Sequence, residues 1–253
     1  MLIDSHCHLD APEFAVDRSA VLARARMNGV TAQIVPAVTA SGFAALAQLA
    51  RDETDVYPAF GLHPMFLAEH RPEHLLHLRS YLESGAAVAV GECGLDFFVD
   101  GLDPTQQRYY FHAQLKMARE FNLPLVLHGR RAVDELIFTL RQIGGLRGVL
   151  HSYSGSAEQA TQLWKLGFSL GIGGPVTYER AQRLRRIVAS MPIEFLLLET
   201  DAPDQPDQFH RGQRNEPANL TTVAQTVADL RGVSLDEIAL ASSGNARRLF
   251  ALP

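Results

Sequence analysis

Eight short apolar runs, most of them followed by an amphipathic helical pattern, constrain the fold of this chain more than any other feature. The runs read as strands at Leu2–Ser5, Ala32–Val35, Val56–Phe60, Ala87–Val90, Leu125–Leu127, Gly148–Leu150, Phe168–Gly171 and Phe195–Leu198. Helical patterns lie between them, among others at Arg18–Met27, Ala44–Arg51, Glu73–Glu83 and Ala157–Leu166. A further helix is expected from Asp103 as N-cap and Pro104 at the first helical position to Glu120. Pro217–Leu230 and Leu235–Leu240 supply the last helices. No linker, repeat or change of composition interrupts the alternation. At 253 residues it predicts an α/β chain folded as one (β/α)8 TIM barrel, a single domain over residues 1–253. The competing open, doubly wound sheet lacks its glycine-rich fingerprint after the first strand.

Composition narrows the function. A net charge of -5 argues against a protein that coats nucleic acid, because such binding rests on phosphate neutralisation. It leaves room for an enzyme that grips a few phosphates at one pocket. No apolar run is long enough to span a bilayer, and the N-terminus carries no secretory pattern. Two cysteines, Cys7 and Cys93, make no disulfide framework, so the cytoplasm is the expected location. A monomer is expected.

The ionisable residues cluster by position. "IDSHCHLD" places His6 and His8, with Asp4, on one face at the end of the first strand, a seat for a divalent metal or simply a polar strand end. "GLHP" follows the third strand with His63, and "GECGLDFF" the fourth with Glu92 and Asp96. "LVLHGRR" ends the fifth with His128, "VLHSYSG" the sixth with His151, and "LLLETDAP" the eighth with Asp201. Six of eight strands thus end in such groups, on the face where barrel enzymes carry their chemistry. A histidine and carboxylate set of this size can hold two ions. The only lysines, Lys116 and Lys165, sit in helical segments, which leaves Glu92 as the natural bridging ligand.

Other polar groups read as structural. His70, His74 and His77 are expected on a solvated helix face, as is the arginine-rich stretch from Tyr178, for which contact with a nucleic-acid backbone is the alternative. His112 and His210 have no evident partner, and Cys7 and Cys93 should point away from the histidines. Gly171, Gly173 and Gly174 follow the seventh strand, where they would seat a phosphate or make a tight turn.

Taken in order, "DSHCHLD", "GLHP", "GECGLDFF", "LHGRRA", "HSYSG", "ETDAP" and "QRNEP" resemble the TatD family of metal-dependent deoxyribonucleases, over nearly the whole chain. The resemblance implies His6, His8, Glu92 and Asp201 on one divalent cation (Mg, Mn or Zn), and Glu92, His128 and His151 on a second. Cys93, Gly129 and Tyr153 depart from common family residues without touching a ligand. Implied catalytic roles fall to Glu92 and to Asp201, which would take a proton from the attacking water. Glu199 and Asp4 are expected to orient ligating histidines. His63, Arg130, Arg214 and Asn215 are expected to meet substrate phosphates. The implied substrate is DNA, cut from an end with 3′ to 5′ polarity. Hydrolysis of an ester or amide, such as a misacylated tRNA, stands as the alternative, and a non-catalytic metal scaffold as a third reading.

Overall fold

The structure, a computed structural model, describes residues 1–253. Its strands are β1 (Leu2–Asp4), β2 (Val30–Pro36), β3 (Val56–Phe60), β4 (Ala89–Asp96), β5 (Leu125–Arg130), β6 (Gly148–Leu150), β7 (Phe168–Ile172) and β8 (Leu196–Leu198). They form one sheet, all parallel, in the order β1 to β8. Ser5 N–H donates to the Leu198 carbonyl at 2.9 Å, bringing β1 against β8 and nearly closing a TIM barrel. The helices are α1 (Arg18–Met27), α2 (Phe43–Asp52), α3 (His74–Glu83), α4 (Pro104–Glu120), α5 (Val133–Ile143), α6 (Ala157–Lys165), α7 (Gln182–Ser190), α8 (Leu220–Arg231) and α9 (Leu235–Phe250).

Local chemistry starts several helices where the sequence places them. Asp103 accepts from Thr105 N–H at 2.8 Å ahead of Pro104, and Ser156–Gln159 and Ser234–Glu237 form capping boxes at α6 and α9. Several elements outrun their expected ends, β4 and α9 by the most residues. β4 begins at Ala89 and continues through Glu92 to Asp96, because every residue of it is buried and polarity there serves the site rather than solvent. α9 passes Leu240 because its small polar residues bind strand ends: Ser243 Oγ donates to the Met1 carbonyl, and Asn245 Nδ2 to the carbonyls of Ile193 and Leu196.

The core has two layers. Phe43, Phe60, Phe111, Leu136 and Phe168 belong to the large shell between strands and helices. A smaller cluster fills the lumen: Ile3, Ala32, Ile34, Ala59, Ala89, Val126, Val149 and Leu197, with Ala246 and Phe250 of α9 packed under it. Cys7 and Cys93 lie in the outer shell, as their strand parity demands.

Candidate metal-centred active site

Above the apolar floor of the lumen, strand ends deliver their ionisable side chains to one point. Glu92 sits at its centre, almost fully buried. Its Oε2 faces His6 Nε2 at 3.2 Å and His8 Nε2 at 3.5 Å. Its Oε1 faces His151 Nε2 at 2.8 Å, His63 Nε2 at 2.9 Å and His128 Nδ1 at 3.1 Å. Asp201 Oδ1 completes the first side, 3.4 Å from His6 Nε2 and 3.7 Å from His8 Nε2. Burial alone would push the Glu92 carboxyl up; His63, His151 and His6 around it hold it well below the usual carboxylate range. Burial lifts Asp201 to about 6, with His151 and His8 offsetting part of the effect.

Donor chemistry tests whether cations fit. His6 Nε2 and His8 Nε2 lie 3.2 Å apart, and His151 Nε2 and His128 Nδ1 3.4 Å apart. Ligands bonded at about 2.0–2.2 Å around one ion sit roughly 3–3.5 Å from each other, the spacing these donors show. Both sides of Glu92 therefore fit a divalent cation. The group His6, His8 and Glu92 brings its ligand atoms within 4.8 Å of one another.

Hydrogen bonds sort the histidines. His128 Nε2 lies 2.8 Å from Asp96 Oδ2, so a proton there leaves Nδ1 as a lone pair toward Glu92 and the cation space. Burial would raise the Asp96 carboxyl, but His128 and the backbone N–H groups of Val99 and Phe98 bring it down to about 2. His63 differs. Its Nδ1 accepts from Met65 N–H at 3.1 Å, and burial lowers its pKa to about 4, so the neutral ring carries its proton on Nε2. It is a donor beside the ligand set rather than a lone pair within it.

The supporting contacts differ in places from expectation. Asp4 does not touch a histidine ring; it accepts from His6 N–H and from Thr200 N–H and Oγ, bracing β1 against the chain after β8. Glu199 Oε1 accepts from Ser152 N–H and lies 3.7 Å from His151 Nδ1. Gly171 is part of β7, and its missing side chain leaves the space that the Glu199 carboxylate fills. Gly174 opens the 3-10 turn Gly174–Thr177 and likewise lets the backbone at Gln205–Asp207 pack against it, so the expected turn is present and close approach accompanies it. His70 is not on a solvated face: it is buried and its Nε2 meets the His63 carbonyl at 2.9 Å, steadying the loop that aims His63. His210 has a partner after all, the buried carboxylate of Asp207 at 2.8 Å.

Of the expected substrate contacts, Arg130 lies at the exposed end of β5. Arg214 is held elsewhere, its guanidinium on both oxygens of Asp17 at 2.8 and 2.7 Å and on the Glu13 carbonyl. A phosphate that bound it would share the guanidinium with Asp17. Asn215 is buried, its amide donating to the carbonyls of Thr200 and Asp204, which makes it a brace for the loop after β8. Asp96 and Gln205 escaped assignment from sequence. Asp96 shares strand parity with Glu92, which is a usable signal; Gln205, which donates to Asp201 Oδ2 and accepts from Ser152 Oγ, gave none.

A parallel barrel with a histidine–carboxylate cluster at the C-terminal ends of its strands defines a metal-dependent hydrolase. A family profile described as TatD related DNase matches residues 3–251. The chain is 42% identical to the "Uncharacterized metal-dependent hydrolase YjjV" of Escherichia coli K12 over 99% of this chain and 98% of that one. It is 38% identical to the "3'-5' ssDNA/RNA exonuclease TatD" of Erwinia amylovora, over 99% of this chain and 100% of that one. The crystal structure of the Escherichia coli TatD homolog YjjV superposes with a TM-score of 0.95 at 41% identity, covering 100% and 98% of the two chains. The chain belongs to the TatD family of metal-dependent hydrolases.

Proposed function

We propose that this chain is a divalent-metal-dependent nuclease that shortens DNA strands from an end, with 3′ to 5′ polarity, acting as a cytoplasmic monomer. The observation that carries the reading is Glu92, whose two oxygens each face a separate group of histidines. His6, His8, Glu92 and Asp201 would hold one cation, and Glu92, His128 and His151 the other. Bound there, the pair lowers the pKa of water and withdraws charge from a phosphoryl oxygen. Asp201, fixed through Oδ2 by Gln205, receives the proton of the attacking water. As the new P–O bond forms, the bond to the leaving sugar oxygen breaks. His63 Nε2–H, which meets Glu92 Oε1 at 2.9 Å, would donate a hydrogen bond to a phosphate oxygen that reaches this point. The relatives named as exonucleases support the substrate class, and the absence of any helix long and apolar enough to cross a membrane is compatible with it.

The test offers the purified chain Mg, Mn and Zn with 5′-labelled single-stranded DNA, duplex DNA and aminoacyl-tRNA. The expected result is progressive 3′ shortening of the labelled single strand with at least one metal, abolished by chelation. Release of the amino acid with no strand shortening under any metal would replace the nuclease by an ester hydrolase.

A further inference from the structure

Four phenylalanine rings stay substantially exposed, and three of them, Phe66, Phe98 and Phe209, stand on loops leaving the C-terminal ends of β3, β4 and β8. Phe98 is singular among these. The Arg130 guanidinium lies 3.6 Å from its ring centroid and that of Arg131 4.6 Å, while the ring remains 43% exposed. Neither guanidinium makes an ion pair or a side-chain hydrogen bond with the rest of the chain, whereas the nearby Arg108 is tied to Glu135 at 2.6 Å. Arg131 reaches the ring from a left-handed backbone, φ 53°, which side-chain-bearing residues adopt sparingly. Two like charges are thus gathered on one aromatic ring, and neither is paired with an anion of the protein. An exposed arrangement of this kind is completed by an anion, and on a chain of net charge -5 it marks a local exception.

The platform is anchored to the metal centre. Asp96 Oδ1 accepts from Phe98 N–H at 2.8 Å and Val99 N–H at 3.0 Å, while Oδ2 of the same carboxylate meets His128 Nε2. Phe97 N–H donates to the Arg130 carbonyl at 2.9 Å, locking the loop to the end of β5 two residues beyond His128. One carboxylate therefore sets both the His128 ring and the platform.

We propose that Arg130 and Arg131, held on Phe98, form the subsite that grips the phosphate neighbouring the scissile one, with Asp96 fixing its distance from the metal centre. The polymeric nature of the ligand rests on the nuclease reading above; the anion-binding platform itself does not. Guanidinium forks match phosphate oxygens, and the exposed part of the Phe98 ring is available to the adjoining sugar or base.

The test measures binding of a fluorescent single-stranded deoxyoligonucleotide by anisotropy across a salt series, with strand integrity checked on a gel, alongside cleavage kinetics. Arg131→Asn keeps the left-handed backbone accessible, Arg130→Lys keeps charge without the planar stack, and Phe98→Ala removes the support. Arg131→Asn should weaken binding roughly tenfold and flatten the slope of log K against log salt by about one. KM should rise with it while kcat moves far less. Arg130→Lys should fall between wild type and Phe98→Ala. Wild-type binding and salt slope in both Arg131→Asn and Phe98→Ala, or no strand binding by the wild type, would overturn the subsite. Platform-dependent binding of a strand that is never cut would instead overturn the nuclease reading and leave the subsite standing.

Discussion

The two ends of the barrel lumen are lined by the same strands and have opposite chemistry. At the lower end Ile3, Ile34, Val126, Val149 and Leu197 interlock above Phe250 of α9 and present no charge. A few residues further along those strands and their neighbours, His6, Glu92, His128, His151 and Asp201 crowd together with like groups in hydrogen-bonding range. The floor is a packing solution that stabilises the fold. The upper layer is costly for the protein alone, since burial opposes charge on Glu92 and leaves His6 Nδ1, His151 Nδ1 and Glu199 Oε2 without partners. Function and stability are divided along one set of strands, and substitutions in each layer should report on one without the other.

The largest effect is expected at Glu92. Glu92→Gln keeps the volume and removes the charge shared between the two histidine groups, so metal retention should fall and turnover drop by at least ~10²-fold. Chemical denaturation should show a fold no more stable than before, because the histidines that hold the Glu92 carboxyl below its usual range favour its charge in the folded state. Turnover near wild type with both cations retained would mean that another group bridges.

Asp96→Asn comes next. The amide cannot hold the His128 Nε2 proton as the carboxylate does, and metal affinity should weaken by roughly 10–100-fold, the range for groups that orient ligands. Titration with metal followed by calorimetry measures it; unchanged affinity would show that His128 needs no partner to point.

Phe250→Ala breaks the comparison from the other side. Loss of a buried ring at the floor should cost about 3–5 kcal/mol in urea unfolding, with little change in kcat for the folded enzyme. A matching loss of metal stoichiometry would show that the two layers are coupled after all.

What could be read from the sequence follows the same division. Strand and helix alternation is a periodic signal carried by many residues, and β3, β6 and α1 end where the pattern ends. β4 and α9 were underestimated because their continuations are written in Glu, Gly, Ser and Asn, residue types that resemble loop until tertiary hydrogen bonds are known. The cluster of six candidate ligands was legible because strand ends in a barrel converge, so position in sequence becomes position in space. The ion pair of Arg214 was not legible for the complementary reason. A loop arginine near the active face carries no mark of its partner, and Asp17 lies far from it in sequence and at 2.7 Å in space. Nothing in the sequence singles out Phe98, because its pairing with Arg130 and Arg131 depends on two loops meeting.

The most direct test of the account is to count the metals held by the native chain and locate them. Elemental analysis of protein saturated with Mn or Zn, with anomalous scattering from crystals of the same preparation, should give two ions per chain, one on each side of Glu92, with His6, His8 and Asp201 about the first and His128 and His151 about the second. A single ion at saturation, or ions held by residues other than these six, would contradict it.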